Sequence, residues 1–340
     1  MTSKKSIKTE KNIESSARFS VAPMMDWTDR HCRYFHRLFT RNSLLYTEMV
    51  AAAALVKGKA YHLLDYSEQE HPLALQLGGS DPIQLAEAAS IGESYGYDEI
   101  NLNVGCPSNR VQSGSFGAIL MKNPKLVAKC CETMKKSTSV DITVKCRIGV
   151  DNQDPEKILP EFLKHIYNSG VDRVIIHARK AILKGLSPKE NRDVPPLDYG
   201  LIFKMKDNFP NLHISLNGGV KNLNMANDLL NQGIDGIMIG RSAYQKPTQI
   251  LSEVDKNIFG EKYIRSAFAI AEVMRSYLKE HCDNGGKPHQ ITRHMTGMFH
   301  GLPGSKIWRY HLSRGSCANN LDFYDEALVS AANLINEAAA

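Results

Sequence analysis

The chain has 340 residues, of which 42 are Lys or Arg and 36 are Asp or Glu, so its formal net charge is +6. Apolar residues make up 42% and charged residues 23%, which excludes a disordered or collagen-like chain and provides enough apolar side chains for a large core. The net charge is small, so its placement along the chain is more informative than its total.

Neither the N-terminus nor the cysteines point to secretion or to a membrane. No apolar run approaches the ~20 residues that span a bilayer, and Lys4, Lys5, Lys8 and Lys11 precede no apolar segment. The seven cysteines are odd in number, irregularly spaced and without a CxxC pair, which argues against a disulfide framework and a structural zinc site. We therefore expect a cytoplasmic protein with free thiols, no bound metal and no membrane partner.

From residue 18 to about 258, short β-rich runs alternate with longer segments of helical periodicity. The predicted strands are Phe19–Met24, Leu44–Glu48, Leu73–Leu77, Glu99–Asn103, Ile142–Cys146, Arg173–His177, His213–Leu216 and Gly236–Ile239. The clearest helices between them are Ile83–Tyr95, Lys125–Lys136, Ile158–Ser169 and Leu223–Gln232. Eight βα units in ~240 residues are typical of a (β/α)8 TIM barrel.

A doubly wound open sheet is the alternative for such an alternation. It usually shows a GxGxxG motif after its first strand, whereas here that strand runs into Pro23, Met24 and Met25. Polar residues also stand at nearly every predicted strand end, where barrel enzymes carry their active sites. They include Glu48, Gln76, Asn103 through Cys106, Lys145, Arg147, His177, Arg179, Asn217 and Arg241. The pattern favours the barrel, with a site at its mouth.

After about residue 258 the strand signals stop, and apolar residues such as Ala267, Ala271, Met274 and Leu278 recur at helical spacing. Further helices are predicted over His289–Phe299, Ser305–Arg314 and Asp322–Glu337. We therefore divide the chain into a flexible basic tail (1–17), a TIM-barrel catalytic domain (18–258) and a small all-helical C-terminal domain (259–340).

Two glycine motifs follow the last two predicted strands, where barrels commonly bind phosphate. They are Asn217-Gly218-Gly219 and Gly240-Arg241. Glycines let main-chain N–H groups approach an anion, and Arg241 would offer it a guanidinium. Tight βα turns would explain either motif alone, but the two together favour phosphate.

A flavin mononucleotide is one ligand that suits a barrel with such a phosphate site. Its ring would lie across the barrel mouth, with Pro23, Met24, Met25, Gln76 and Lys145 as candidate contacts. The ammonium of Lys145 would suit the negative charge of a reduced flavin. The alternative for Lys145 is a salt bridge inside the barrel, with Glu48 as its partner.

Among the cysteines, Cys106 has the most suggestive position. It follows the fourth predicted strand and precedes a glycine-rich loop, Ser113–Gly117. A thiol can serve as a general acid or, with a lowered pKa, as a nucleophile. Cys32, Cys130 and Cys131 lie in helical segments, where inert packing is expected.

These motifs together resemble the tRNA-dihydrouridine synthase family, flavin enzymes that reduce uridine in tRNA. The matching segments are 23–25 with Thr28-Asp29, 76–79, 101–107, 117–121, 144–149, 177–179, 217–219 and 240–241. Gly185–Arg192 and Arg293–Gly297 resemble the A-type subgroup, which modifies D-loop uridines 20 and 20a. Trp308-Arg309 also fits that subgroup, although Tyr310 stands where a second arginine is expected.

The resemblance implies an FMN-dependent reduction of the uracil C5=C6 bond, with NADPH as the reductant. The reduced flavin would deliver hydride to C6, and Cys106 would donate a proton to C5. Gln76, Lys145 and His177 would hold the flavin, with Asn217, Gly218, Gly219, Gly240 and Arg241 around its phosphate. Asn103 and Arg147 would contact the uracil edge. A satisfied core histidine is the alternative for His177.

The substrate expected from this resemblance is the D-loop of tRNA, bound by a monomer. Residues 256–314 hold ten Lys or Arg against four acids, an excess that equals the net charge of the whole chain. We expect RNA contacts from Arg293 and Arg309 there, and from Arg179, Lys189 and Arg192 after the sixth strand. The alternative for any such basic run is an ordinary solvated surface.

Two other functions remain open at this stage. A small-molecule flavin oxidoreductase of the dihydroorotate dehydrogenase type would share the phosphate site, but it would not explain the basic C-terminal helices. A tRNA-binding protein or chaperone whose barrel has lost catalysis would not need Cys106 and the flavin motifs.

Overall fold

The computed structural model describes residues 13–339 apart from 109–110, 112–113 and 316–319, with side chains to residue 335. Eight parallel strands form one sheet in the order β1-β8-β7-β6-β5-β4-β3-β2. They are β1 (Phe19–Val21), β2 (Leu45–Ala51), β3 (Leu73–Gly78), β4 (Glu99–Val104), β5 (Asp141–Arg147), β6 (Arg173–His177), β7 (His213–Asn217) and β8 (Gly236–Ile239). The two edges of the sheet meet where Ser20 bridges Leu44. The predicted (β/α)8 barrel is confirmed, and the open doubly wound sheet is excluded.

Helices alternate with the strands and then continue alone after residue 258. Those of the barrel region are α1 (Ile13–Ser16), α2 (Arg30–Arg37), α3 (Ala52–Val56), α4 (Pro82–Ser94), α5 (Pro124–Ser137), α6 (Pro155–Asn168), α7 (Tyr199–Asn208), α8 (Leu223–Asn231), α9 (Arg241–Gln245) and α10 (Pro247–Asn257). The C-terminal helices are α11 (Ala267–Asp283), α12 (His289–Met295), α13 (Ser305–Arg314) and α14 (Asp322–Ala339). None in the described part of the chain is long and apolar enough to cross a membrane.

Local sequence explains where several barrel helices begin. The side chain of Asp81 accepts hydrogen bonds from the N–H groups of the first turn of α4, and Pro82 occupies its first position. Asp154 and Pro155 play the same parts in α6. An aspartate satisfies helix N–H groups that have no partner within the helix, and proline lacks the N–H that would need one. These dipeptides therefore mark helix starts in the sequence itself.

Some predicted boundaries move for identifiable reasons. The first strand ends at Val21 instead of Met24, because Pro23 has no N–H for the ladder and the Met24 N–H donates to Thr28 Oγ1 at 3.0 Å. Of the predicted tail, residues 1–12 lie outside the described residues, while residues 13–17 include α1, and Ser16 and Ala17 are buried. The helix predicted over His289–Phe299 ends at Met295.

The lower part of the barrel interior holds a buried ion pair. Arg173 Nη2 contacts Glu99 Oε2, and both side chains are at most 2% exposed. The Tyr46 hydroxyl donates to Glu99 Oε1 at 2.7 Å, and the Thr143 hydroxyl donates to the same oxygen. A buried charge needs such partners to offset its loss of hydration. This cluster fills the barrel at the amino ends of its strands, and the predicted site residues lie at the opposite, carboxyl ends.

The C-terminal helices share the hydrophobic core of the barrel. Buried Ile270, Met274 and Trp308 belong to the same continuous cluster as the strands. Trp308 is fully buried, and its indole N–H donates to the Met295 carbonyl at 2.8 Å. The helices are thus packed against the barrel and against one another.

Candidate active site at the carboxyl end of the barrel

The parallel register brings predicted site residues onto neighbouring strands. Asn103 of β4 pairs with Lys145 of β5, and Arg147 of β5 pairs with His177 of β6. His177 pairs in turn with Asn217 of β7. The carboxyl ends of parallel barrel strands share one face of the molecule. Residues that are far apart in the sequence therefore meet around one opening.

A chain of hydrogen bonds runs through the barrel interior to the loop of Cys106. Asn101 Nδ2 donates to Thr143 Oγ1, and Gln76 Nε2 donates to Asn101 Oδ1, both at 2.8 Å. Asn103 Nδ2 donates to Gln76 Oε1 at 2.8 Å. These four side chains are buried, and their mutual hydrogen bonds make the chain rigid. Gln76 is thereby oriented, with one amide hydrogen left for a ligand.

Asn103 also anchors the loop that carries Cys106. Its Oδ1 accepts hydrogen bonds from the main-chain N–H groups of Gly105 at 3.1 Å and Cys106 at 3.0 Å. The Cys106 carbonyl accepts a hydrogen bond from the Ala118 N–H at 2.9 Å. The thiol lies 3.6 Å from Ser108 Oγ and is partly exposed. The main chain around Cys106 is therefore fixed, while the thiol remains accessible.

The other described cysteines differ from Cys106 in their surroundings. Cys32, Cys130, Cys131 and Cys146 are buried, and burial raises the pKa of each thiol. The predicted packing role of the first three agrees with this burial. Cys282 is partly exposed but lies on α11, and burial raises its pKa as well. Cys317 lies outside the described residues.

Lys145 lies beside the carboxyl end of β7, where its Nζ donates to Asn217 Oδ1 at 3.1 Å. Burial, followed by the nearby charge of Arg147, lowers the pKa of Lys145 to about 8. In the described residues Lys145 forms no ion pair with Glu48, the alternative partner considered from the sequence. Its ammonium therefore has a neutral neighbour and can serve an anionic ligand.

His177 carries a buried nitrogen that has no hydrogen-bond partner among the described residues. That atom is Nδ1, and the residue is 7% exposed. Burial and the nearby charges of Arg147 and Lys145 keep the pKa of His177 well below its usual value, so the ring is neutral. An unpaired buried polar atom costs about 1–3 kcal/mol, so a ligand group that met it would remove this cost. A satisfied core histidine, the alternative for this residue, does not match the unpaired nitrogen.

Only glycine suits the two positions after β7, because the main chain there has positive φ angles and neighbouring side chains leave no room for a Cβ. Gly218 and Gly219 have φ angles of 103° and 76°. A Cβ on Gly218 would lie 2.7 Å from His177 Nε2, and one on Gly219 would lie 2.6 Å from the Tyr199 hydroxyl oxygen. Only glycine fits both positions without displacing a neighbour. The main chain at this turn is therefore packed closely against His177 and Tyr199.

The end of β8 and the loop after β1 meet at the same opening. A Cβ on Gly240 would lie 3.3 Å from Met24 Sδ, a close contact. Pro23 and Met24 are half-buried, and Met25 is 51% exposed. The predicted flavin contacts from the first strand therefore adjoin the predicted phosphate motif.

Three predicted ligand-binding arginines contact a single segment, residues 191–195. Arg147 Nη1 donates to the Asn191 carbonyl at 2.9 Å, and Arg179 Nε donates to the Pro195 carbonyl at 2.6 Å. Arg241 forms two hydrogen bonds with the carboxylate of Asp193, at 2.7 and 3.1 Å. Arg179 Nη1 is buried without a partner in the described structure. The arginines thus hold the loop after β6 against the barrel mouth.

The remaining predicted RNA contacts lie at the surface. Lys189, Arg192 and Arg309 are exposed. Arg293 is 44% exposed on its side chain and forms an ion pair with Asp29 at 2.5 Å. These positions leave all four available to an external partner, with Arg293 already engaged in part.

Sequence reasoning missed several residues that organise this site. Asn101 and Thr143 support Gln76, and Asp193 holds Arg241. Asn101 lies two positions before Asn103 on β4, so both face the same side of the sheet, and that spacing could have revealed Asn101. Asp29 belongs to the matching segment Thr28-Asp29, but the sequence assigned it no role, and no local pattern distinguishes Asp193.

The family profile for dihydrouridine synthase (Dus) matches residues 20–333. A tRNA-dihydrouridine(20/20a) synthase of Shewanella oneidensis is 50% identical over 317 residues, covering 93% of each chain. A protein of the same name from Escherichia coli K12 is 52% identical over 307 residues, covering 90% of this chain and 88% of its own length. One from Vibrio parahaemolyticus is 52% identical over 303 residues, with 88% and 92% covered. The chain therefore belongs to the dihydrouridine synthase family.

Proposed function

We propose that this protein reduces the C5=C6 bond of D-loop uridines at positions 20 and 20a of tRNA, using FMN and NADPH. The main support is Cys106, whose main-chain N–H donates to Asn103 Oδ1 at the barrel mouth. Asn103 lies there beside Lys145 on the next strand. The positions come from the names of relatives about 50% identical over most of both chains.

The described residues fit an FMN at the barrel mouth. The unpaired Nδ1 of His177 is an observation that a ligand would explain. The residues that would hold the cofactor are Pro23, Met24, Met25, Gln76, Lys145, His177, Asn217, Gly218, Gly219, Gly240 and Arg241. When bound and reduced by NADPH, FMN supplies the hydride that the uracil C6 requires.

The chain itself would supply the proton. Cys106 would donate it to C5, and Asn103 keeps the main chain of that residue in place through Oδ1. Reduction of a C5=C6 bond conjugated to a carbonyl places negative charge on the C4 oxygen. Arg147 and Asn103 would contact the uracil edge and stabilise this charge. Lys145, whose pKa is lowered to about 8 by burial, would provide a further cation near the site.

A uridine held in a stacked RNA loop must leave the stack to reach such a site. Contacts between basic side chains and phosphates would supply the free energy for this step. Exposed Lys189, Arg192 and Arg309 support this role, as do the excess cations of residues 256–314. We place the tRNA-binding surface on the loop after β6 and on the C-terminal helices.

The decisive experiment is expression in bacterial cells that lack their own dihydrouridine synthases, followed by mapping of dihydrouridine in their tRNA. We expect dihydrouridine at positions 20 and 20a and a yellow purified protein. Dihydrouridine at another position would overturn the site assignment. Tight tRNA binding by a colourless protein without product would instead indicate an RNA-binding protein that has lost catalysis.

A further inference from the structure

Asp29 joins the loop after β1 to the C-terminal helix α12. Its Oδ1 accepts hydrogen bonds from the N–H groups of His31 and Cys32 at the start of α2. Its Oδ2 accepts hydrogen bonds from Arg293 Nη2 at 2.5 Å and His294 Nε2 at 3.1 Å. We call Asp29, Arg293 and His294 the clasp. Burial opposes the charge of Asp29, but the hydrogen bond and charge of His294 keep its pKa well below its usual value.

The contact continues onto α9, the short helix after β8. The Tyr244 hydroxyl lies 3.1 Å from His294 Nδ1, and the Tyr244 ring stacks on Trp27 with centroids 4.4 Å apart. A Cβ on Gly297 would overlap the main-chain carbonyl of Gln245, so only glycine permits this approach. The segment 293–297 thus contacts both the loop after β1 and the helix α9.

The loop after β1 and the segment that begins α9 also carry predicted cofactor contacts. Met24 and Met25 lie a few residues before Asp29, and Gly240 and Arg241 lie just before Tyr244. Because a few residues of ordered chain connect each pair, a shift of α12 relative to the barrel would be transmitted to the mouth. The segment 293–297 therefore contacts both parts of the chain that carry these predicted cofactor residues.

We infer that Asp29 is a positioning residue, which sets the orientation of the C-terminal helices relative to Cys106. This inference rests on the proposed function. In it, tRNA bound by the C-terminal helices presents its uridine to the Cys106 thiol at the correct distance. Arg293 then acts chiefly through Asp29 instead of through a phosphate of the RNA. Reaction rates are sensitive to such placement, since a misplacement of about 1 Å can lower a rate about 100-fold.

The test is the holoenzyme carrying Asp29→Asn. Asparagine caps helices as well as aspartate does, so the start of α2 is retained, while its amide cannot accept from both Arg293 and His294. We expect the rate of dihydrouridine formation in a single turnover at saturating tRNA to fall about 10- to 100-fold. The affinity for tRNA and the rate of flavin reduction by NADPH should change less than about 3-fold, within the scatter of such measurements. Asp154→Asn, the same change at the start of α6, is the matched control and should retain the wild-type rate.

Arg293→Gln distinguishes positioning from direct RNA binding. Positioning predicts a fall in single-turnover rate for Arg293→Gln as well, with no further fall when Arg293→Gln is added to Asp29→Asn, because the contact between Asp29 and Arg293 is already lost in that variant. Direct binding predicts weaker tRNA affinity for Arg293→Gln and none of this non-additivity. The same readout at Arg309→Gln, outside the clasp, shows what the loss of one surface cation does.

If the unchanged protein makes dihydrouridine and Asp29→Asn makes it at the same rate, the inference is overturned. A wild type that makes no dihydrouridine in any tRNA would overturn the proposed function instead. Should Asp29→Asn fail to fold, Arg293→Gln and its rate-against-affinity comparison still decide the question.

Discussion

Asn103 and Cys106 are joined by a hydrogen bond from the Cys106 main-chain N–H to Asn103 Oδ1, at 3.0 Å. The amide of Asn103 is itself oriented by Gln76, whose Oε1 accepts its Nδ2 hydrogen at 2.8 Å. A single buried side chain therefore connects the interior of the barrel with the loop that carries the Cys106 thiol. This connection makes the position of Cys106 a property of the barrel and not of the loop alone.

Cys106→Ala should retain bound flavin and NADPH oxidation but lose most dihydrouridine formation. A positioned general acid contributes about 100- to 10,000-fold to a rate, and alanine cannot donate a proton. The measurement is dihydrouridine per tRNA by mass spectrometry after a fixed reaction time. Cys282→Ala, on α11, is the control and should keep the wild-type yield. A wild-type yield from Cys106→Ala would rule out the general-acid role.

Thr143→Val should lower the free energy of unfolding by about 1–3 kcal/mol, because it leaves Asn101 Nδ2 buried without an acceptor. Valine has nearly the volume of threonine, so the packing of the barrel is retained. The measurement is equilibrium unfolding in urea. Thr133→Val, which removes a hydroxyl at the surface of α5, is the control. Equal stabilities of the two variants would argue against the importance of the buried chain.

Gly219→Ala should weaken flavin binding and destabilise the fold more than Gly260→Ala does. Both glycines have positive φ, 76° and 71°, so alanine strains the main chain at each by about 1–2 kcal/mol. Only at Gly219 would the new Cβ also collide, since nothing lies within 4 Å of a Cβ on Gly260. Flavin fluorescence titration and thermal unfolding measure the two effects. Unchanged flavin affinity in Gly219→Ala would contradict the predicted phosphate site.

Stability should fall as the pH decreases below about 6.5, the usual pKa of histidine. Burial lowers the pKa of His36 to about 3 and that of His177 well below the usual value. Below pH 6.5 the unfolded chain binds protons that the folded protein does not, so each such histidine reduces the free energy of unfolding by up to about 1.4 kcal/mol per pH unit. This loss continues until the folded pKa is reached, and Asp29, with its lowered pKa, adds a further loss at more acidic pH.

The variant that tests this dependence is His36→Gln, which removes one titrating group outside the candidate site. The slope of unfolding free energy between pH 6.0 and 5.0 should become shallower by about one proton. Urea unfolding at several pH values provides the measurement. His62→Gln alters a histidine of the exposed segment 61–63 and should leave the slope unchanged. An unaltered slope in His36→Gln would show that this ring does not control acid stability.

The affinity for tRNA should fall steeply as salt increases, because phosphate contacts release counterions. Arg309→Gln should weaken binding at low salt and reduce the slope of log affinity against log salt by about one. Lys164→Gln changes an exposed lysine on α6, away from the predicted surface, and should have little effect. Salt-independent affinity of the wild type would contradict the predicted surface.

The alternation of strands and helices and the barrel were predictable from local sequence, as was the gathering of the candidate site residues at one end of it. Strand and helix periodicities differ, and parallel strands must place their carboxyl ends on one face, so residues such as Gln76, Lys145 and His177 fall together once the barrel is inferred. Asp81 and Asp154 mark helix starts because a helix cap acts within a few residues. These features depend on short-range geometry, which the order of residues contains directly.

Tertiary structure alone decided which charged groups are paired. Asp29 meets Arg293 although they lie at opposite ends of the chain, and Asp193 pairs with Arg241, which stays a predicted phosphate contact. The chain has 42 basic and 36 acidic residues, and no periodicity specifies which of them approach within hydrogen-bond distance. That choice depends on how loops from different strands pack at the barrel mouth. The fold thus decides which basic side chains form ion pairs within the protein and which stay exposed at its surface.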